Sequence, residues 1–223
     1  GTPMTRTAFD EGSDNAVRRR EAWEAAWAEA DGTLVGTVDL GRAGDAADRI
    51  AELLLVRDSE RRADGLDRLL DEPFEFEPRR RDDFDVVLLF SDHAGARAAV
   101  PALRYWFVSG IPVLAGSDAA PPQATLSYPD LDGLRLLVPN WLLGRDPVAR
   151  VVADFDPRLQ RFTALGADAY RTARRWPPAP GRVPGSGGTL EVGDDGRVTV
   201  APAWGWVRDG QVDVMPVVVD RIR

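Results

Sequence analysis

Arginine and aspartate side chains crowd into one short stretch of the sequence, Arg79–Asp85. Arg79, Arg80 and Arg81 are followed by Asp82, Asp83 and Asp85. A guanidinium group can donate two parallel hydrogen bonds to a carboxylate or phosphate, so this run could hold an anionic ligand or an acidic partner. The alternative is that the arginines pair with the neighbouring aspartates and cap the edge of a sheet. The three arginines, with Asp82 and Asp85, are therefore candidate ligand-binding or partner-binding residues.

A catalytic site is not predicted. His93 is the only histidine, and Asp92 stands beside it. A nucleophilic triad would need Ser91 or Ser117 within reach of His93, with the imidazole oriented by a third group. The sequence has no G-x-S-x-G element, and His93 falls where a helix is predicted to begin. We therefore expect no catalytic residue and no enzymatic activity.

Metal and nucleotide sites are also not predicted. The sequence contains no cysteine, and one histidine cannot form the usual zinc sites. Pro184–Gly188 is rich in glycine, but it lacks the lysine and the following helix of a phosphate-binding loop. It is interpreted as a turn before a strand. We expect no cofactor and no metal.

Aromatic and strand-terminal residues supply the other candidate binding positions. Trp204 and Trp206 lie on the same face of a predicted strand. There they either anchor a partner or pack on a helix. Tyr105 opens an aromatic run that cannot face inward as a whole, so Tyr105 is expected at the surface. Ser117 and Asp118 follow a strand at its carboxyl end, where open α/β sheets bind ligands, and they are the small-molecule candidates.

The elements that position these residues follow from the apolar pattern. Val86–Phe90 is a short, continuous apolar run, which is typical of a strand buried on both faces of a parallel sheet. Predicted strands and helices alternate around it, and the last part of the chain is rich in hairpins. A helix of about residues 157–175 is predicted to carry four large side chains on its inner side: Leu159, Phe162, Leu165 and Tyr170.

Charge and hydropathy exclude some classes of partner. The formal net charge of the 223 residues is −8, which argues against nucleic-acid binding and against bulk attraction to an anionic membrane. No stretch approaches the roughly 20 apolar residues of a membrane span, and no signal peptide is visible. Gly1–Met4 is interpreted as a cloning remnant.

Five segments together resemble the LppC/LpoA family of penicillin-binding protein activators. They are FEFEPRRRDDFDVVLLF, VPALRYWFVSGIPVLAGS, LDGLRLLVPNWLL, RFTALGADAYRTA, and PGSGGTLEVGDDGRV with AWGWVRDG. Their order and spacing agree with the family from about Ser13 onward. The arginine–aspartate core and the L-R-aromatic helix are fairly specific in combination.

The resemblance implies a periplasmic binding protein-like α/β fold of type I, in which a mostly parallel sheet is flanked by helices. A hairpin-rich C-terminal tail and an incomplete first lobe are expected. The expected division is 1–12 as a remnant or weak strand and 13–143 as an α/β lobe. Residues 144–188 would be a helical return to the other lobe, and 189–223 a β-rich tail packing on the α/β lobe.

The resemblance also implies a function. Family members are outer-membrane lipoproteins that face the periplasm and activate class A penicillin-binding proteins in peptidoglycan synthesis. The expected partner is such a synthase, and a membrane would be reached only through a lipid anchor that this chain lacks. The alternative is a receptor for an amino acid or a cell-wall fragment, bound in a cleft between lobes as in Leu/Ile/Val-binding proteins.

Overall fold

The chain folds into two compact units, Gly1–Ala119 and Ala120–Arg223. The boundary falls inside the predicted 13–143 lobe. The computed structural model describes residues 5–10, 14–40, 45–69, 76–106, 108, 110–120, 127–152, 155–175 and 180–215. Phe107, the last residue of the predicted aromatic run, lies outside these ranges.

The first unit alternates strands and helices, as predicted. Its elements are β1 (Thr5–Asp10), α1 (Asp14–Glu29), β2 (Thr33–Asp39), α2 (Ala46–Leu53), α3 (Val56–Asp67), β3 (Val86–Phe90), α4 (His93–Tyr105) and β4 (Val113–Ala115). The strands lie in the order β2-β1-β3-β4, and each neighbouring pair is parallel. The weak strand expected within residues 1–12 is β1, which pairs on both sides.

The predicted central strand is confirmed at Val86–Phe90, and all five of its residues are buried. Trp23 of α1 packs against Leu88 and Phe90 from one side. Helices α2 and α4 supply further buried side chains, including Ile50 and Leu103. A strand covered in this way needs apolar residues at every position, which explains the continuous apolar run.

Helix α4 begins where the sequence predicted. Asp92 is its N-cap, and the carboxylate accepts a hydrogen bond of 2.8 Å from the backbone N–H of Gly95. Such a cap satisfies one of the backbone donors that the first helical turn leaves unpaired. Pro101 lies inside this helix, which continues past it to Tyr105.

The second unit is built mainly from antiparallel strands. Its elements are β5 (Leu134–Val138), α5 (Val148–Val152), α6 (Pro157–Ala173), β6 (Gly181–Pro184), β7 (Thr189–Val192), β8 (Val198–Ala201), β9 (Ala203–Arg208) and β10 (Gln211–Val214). Strands β6, β7 and β8 form an antiparallel sheet in that order. Strand β9 pairs antiparallel with β5 and β10. The predicted hairpin-rich tail is therefore confirmed.

Two features of this unit differ from the prediction. Strand β6 lies in a Pro- and Gly-rich stretch whose composition is typical of a loop. It is an edge strand, where a proline is tolerated. The predicted inner side of α6 is wrong, because Leu159, Phe162, Leu165 and Tyr170 are all exposed. Its buried residues include Gln160, Ala164 and Asp168.

Candidate functional site

The arginine–aspartate segment, Arg79–Asp85, is held in place by backbone hydrogen bonds to the helices before it. The backbone N–H of Arg79 donates to Ser59 Oγ at 3.1 Å. The N–H of Arg81 donates to the carbonyl of Leu54 at 2.8 Å. Phe84 is buried at the end of the segment. The segment thus has a defined position immediately before β3.

Two of its three arginines are engaged within the segment. Arg81 makes a two-pronged contact with Asp83, with Nε–Oδ1 at 2.6 Å and Nη2–Oδ2 at 2.7 Å. These hydrogen bonds lower the pKa of Asp83 and raise that of Arg81. The guanidinium of Arg80 lies 5.5 Å from the ring centroid of Phe84 and also donates to the carbonyl of Arg81. This is the internal pairing that the sequence offered as the alternative to ligand binding.

The residues that the segment presents to solvent carry both charges. Arg79, Asp82, Asp83 and Asp85 are exposed, whereas Arg80 and Arg81 are half-buried. An exposed mixture of charges suits the rim of a protein contact better than the centre of a small-molecule site, because rim charges stay solvated. Arg79 is the arginine of the three that solvent or a partner reaches most directly.

The small-molecule candidates lie at the carboxyl end of β4. Ser117 and Asp118 form a short 3₁₀ turn that ends at Ala119. The carboxylate of Asp118 forms an ion pair with Arg19 of α1, and Asp118 Oδ2 contacts Arg19 Nη1. His93 Nδ1 lies 3.4 Å from the carbonyl oxygen of Ala119. Asp118 is thus already compensated by an arginine of its own unit.

The structure does not bring these two candidate groups together. The arginine–aspartate segment precedes the amino end of β3, whereas Ser117 follows the carboxyl end of β4. Strands β3 and β4 are parallel, so the two groups lie at opposite ends of the sheet. Five residues of strand separate those ends by about 16 Å.

Tyr105 is exposed, at 70%, as the sequence predicted. It ends α4, and its ring meets the ring of Trp106 edge-on at 4.7 Å. Trp106 is only half-buried, and its indole N–H donates to the carbonyl of Ala47 at 3.2 Å. Trp106 therefore anchors the end of α4, which leaves the Tyr105 side chain in solvent.

Trp204 and Trp206 share one face of β9 with Arg208. The alternate residues, Gly205 and Val207, are buried. The guanidinium of Arg208 lies 3.6 Å from the ring centroid of Trp206, and that of Arg135 on the paired strand β5 lies 5.5 Å from it. Both distances are within the range of cation–π attraction. Strand β9 thus presents a half-exposed surface that is both aromatic and cationic.

A buried ion-pair network in the second unit was not among the candidate sites that the sequence predicted. Both oxygens of Asp168 accept backbone hydrogen bonds, from Ser186 at 2.6 Å and Gly187 at 2.8 Å. Arg171, one turn further along α6, contacts Asp168 Oδ1 at 2.9 Å. It also donates to Ser186 Oγ at 2.6 Å and reaches the carboxylate of Asp146 at 2.9 Å.

The glycine-rich turn makes this network possible. A Cβ atom at Gly185 would lie 3.0 Å from both carboxylate oxygens of Asp168 and 2.7 Å from Leu190. Asp146 is also a helix cap, since it accepts from the N–H of Val148 at 2.7 Å. Its burial opposes ionisation, but the hydrogen bonds from Arg171 and Val148 outweigh that cost and lower its pKa. The missed signal was Asp168 and Arg171 at helical spacing, with a glycine-rich turn nearby in sequence.

The fold defines the class of the protein. The C-domain of LpoA (YraM) from Haemophilus influenzae, described as a regulator of PBP1A, is similar with a TM-score of 0.66 at 15% identity. A solute-binding protein of an ABC transporter from R. palustris, in complex with benzoate, has a TM-score of 0.50 at 11% identity and is matched over 58% of its length by 96% of this chain. The chain therefore has a periplasmic binding protein-like α/β fold, as predicted.

The family follows from the sequence itself. Residues 11–210 match the family described as "LppC putative lipoprotein". The chain belongs to this family, which confirms the resemblance drawn from its motifs. No curated protein sequence matches the chain.

The chain corresponds to part of its structural relatives. It matches full-length LpoA from H. influenzae with a TM-score of 0.65 at 15% identity, and 96% of this chain covers 36% of that one. For the LpoA C-domain, 95% of this chain covers 61%. Among the described residues, no helix is long and apolar enough to cross a membrane. Within the same ranges, no group of three or more acidic or histidine side chains is arranged to hold a metal ion.

Proposed function

We propose that this chain is a non-enzymatic regulatory domain that binds and activates a class A penicillin-binding protein during peptidoglycan synthesis. The observation that carries the proposal is membership of the LppC family over residues 11–210. The similarity of fold to the H. influenzae LpoA C-domain, described as a regulator of PBP1A, is consistent with it. Activation would come from tighter binding to the active conformation of the synthase than to its inactive one.

The same family membership supports a location for the domain. A lipoprotein family implies an envelope-associated, periplasmic protein, and we propose that the native protein faces the periplasm from the outer membrane. The expected division of the chain at residues 143 and 188 remains a prediction.

Two surfaces are proposed as the contact with the synthase. The first is the arginine–aspartate segment, whose exposed Arg79, Asp82 and Asp85 could complement charges on a partner. The second is the Trp204–Arg208 face of β9, since tryptophan and arginine are the residues most often found at the energetic centre of interfaces. Tyr105 is a further exposed aromatic candidate.

Binding and activation can be tested with a purified class A synthase. The whole chain is immobilised, the synthase is titrated over it, and its glycan polymerisation and cross-linking rates are followed with and without the domain. We compare Arg79→Glu and Trp204→Ala with the control Arg57→Glu, which reverses an exposed arginine of α3 that pairs with the exposed Asp48. Loss of binding in one test variant, with the control unchanged, identifies the surface.

Other outcomes are equally informative. Arg81→Glu is unsuitable as the main variant, because it also breaks the Asp83 contact inside the segment. If both test variants still bind the synthase, the contact lies on another surface and the proposed function stands. A domain that binds no class A synthase and changes neither rate would contradict the proposed function.

A further inference from the structure

Helix α6 presents a continuous apolar face to solvent. Leu159, Phe162, Leu165 and Tyr170 are each between 55% and 69% exposed. They recur at steps of three to five residues, so they lie on the side of the helix opposite Gln160, Ala164 and Asp168. Single exposed apolar residues are ordinary, but a contiguous set of large ones marks a surface that binds something. We call this set the α6 face.

The middle of the α6 face is open to a close approach. Gly166 lies among these residues, and a Cβ atom added there would meet no side chain within 4 Å among the described residues. Ala169, one turn further on, is also exposed. Small residues between larger ones allow the backbone of a second helix to approach closely, while the large residues pack around it.

A cationic cavity adjoins the α6 face at its C-terminal end. It has a volume of about 520 Å³ and is lined by Tyr170, Arg171, Arg174, Arg175, Val183 and Pro184. This volume lies within the range of ordinary ligand pockets, about 300–1,000 Å³. Tyr170 belongs to both the α6 face and the cavity, and the guanidinium of Arg174 lies 5.9 Å from its ring centroid. The apolar and cationic surfaces are therefore continuous.

The charge of this surface is opposite to that of the whole chain. Three guanidinium groups line the cavity, whereas the chain carries a net charge of −8. Arg171 is already balanced by Asp146 and Asp168. Arg174 and Arg175 are the guanidinium groups of the lining that form no ion pair with another described residue. An occupant with carboxylates at one end and apolar side chains along its length would satisfy both parts of the surface.

A second copy of the chain fits this surface poorly. The acidic residue of α6 is Asp168, which is buried, so α6 of a second copy would bring no exposed carboxylate to the arginine cavity. A parallel pair of α6 helices would place each arginine beside its own copy. An anionic membrane is disfavoured because the net charge of the chain repels it.

We propose that the α6 face and its arginine cavity dock an acidic, amphipathic helical segment of a partner protein. Apolar residues of that segment pack on Leu159, Phe162 and Leu165, and its carboxylates enter the cavity beside Arg174 and Arg175. The partner is defined here by this chemistry alone. The proposal goes beyond the contact with a synthase and does not depend on it.

The test uses a labelled helical peptide of about 18 residues, which is five turns. Leucines at every third or fourth position form its apolar face, and glutamates fill its C-terminal turn. A second peptide carries lysine in place of each glutamate. Binding to the 223-residue chain is followed by fluorescence anisotropy. We expect saturable binding of the glutamate peptide and about tenfold weaker binding of the lysine peptide.

Two variants and one control test the site. Phe162→Ser should weaken the glutamate peptide about tenfold, because it removes an exposed anchor without touching the core. Arg174→Glu/Arg175→Glu should reverse the preference in favour of the lysine peptide. Arg57→Glu/Arg61→Glu makes the same charge change on exposed arginines of α3 and should leave both affinities unchanged. Circular dichroism confirms that each variant is folded.

Several results would overturn the proposal. One is equal binding of the two peptides, and another is an equal loss of affinity in the α3 control. A chain that forms dimers, with Phe162→Ser monomeric in light scattering, would assign the α6 face to a second copy. Binding to phosphatidylglycerol vesicles that exceeds binding to the peptide would assign it to a membrane.

Discussion

Replacing Asp168 with alanine should destabilise the second unit more than any surface substitution in it. The Asp168 side chain is only 6% exposed, and it accepts hydrogen bonds from Ser186, Gly187 and Arg171. Its removal leaves two backbone N–H donors without their acceptor in a site that is almost closed to water. Each hydrogen bond to a charged group contributes about 1.5–3 kcal/mol, and an unpaired buried donor costs about 1–3 kcal/mol.

The expected loss is about 3–5 kcal/mol of unfolding free energy, the range for removing one member of a buried ion pair. It should fall toward the lower end, because Arg171 keeps Asp146 and is itself 29% exposed. Asp168→Asn should lose about half as much. Its amide oxygen can still accept one backbone hydrogen bond, whereas its NH₂ group cannot accept the other.

The assay is hydrogen exchange of the intact chain, read at the amides of Ser186 and Gly187, with urea unfolding measured in parallel. Asp213→Ala is the matched control, since it removes an exposed carboxylate from β10 of the same unit and should change stability by less than about 0.5 kcal/mol. If Asp168→Ala leaves exchange at both amides as slow as in the parent chain, the network does not hold the turn, and the reasoning is wrong.

Three further outcomes are expected. Gly188→Ala should lower the unfolding free energy by at least about 1–3 kcal/mol, because φ is +157° and a Cβ would lie 2.2 Å from the carbonyl oxygen of Ala201. Gly166→Ala lies in open space inside a helix and should raise the unfolding free energy by about 0.5–1 kcal/mol. Thermal melts of the two variants check both. Arg81→Ala should lower the urea midpoint by an amount equivalent to about 1 kcal/mol, and Arg79→Ala by less than half of that, since only Arg81 holds Asp83 through both guanidinium nitrogens. The pKa of Asp146 is lowered on folding, so its contribution to stability is present above the unfolded value of about 3.9 and is lost as the pH falls through the lower folded value. Asp146→Asn should therefore flatten the acid limb of a curve of stability against pH. An unchanged acid limb would contradict the assignment.

Local sequence patterns predicted the parts of the fold that local physics determines. The continuous apolar run of β3 is typical of a strand covered on both faces, and all five of its residues are buried. The last part of the chain is rich in hairpins, as predicted, and Asp209 and Gly210 at the turn between β9 and β10 both have positive φ, at +50° and +74°. In such turns the positive φ angles favour Asp, Asn and Gly, so these residue types in the sequence indicate the turn directly.

Helix α6 could not be predicted in the same way. Periodicity identified the helix and its apolar stripe, but the inference that this stripe faces inward assumes that charged residues seek water. Here the charges of Asp168 and Arg171 compensate each other, and amides of a turn that follows α6 complete their hydrogen bonds. Burying such a satisfied network costs little, so the polar side of the helix can face the unit. Contacts between residues 15 to 25 positions apart decide this, and no local window contains them.

The buried network and the proposed docking surface share Arg171. Two variants nevertheless separate their roles. Arg171 lines the cavity while Asp146 and Asp168 fix its guanidinium. Loosening that anchor with Asp168→Asn should therefore weaken the glutamate peptide modestly and make the turn exchange faster. Phe162→Ser should weaken the peptide strongly and leave exchange at Ser186 and Gly187 unchanged, because Phe162 lies on the opposite side of the helix. A Phe162→Ser variant that changed both measurements would show that the α6 face is needed for folding, and its exposure would then say nothing about a partner.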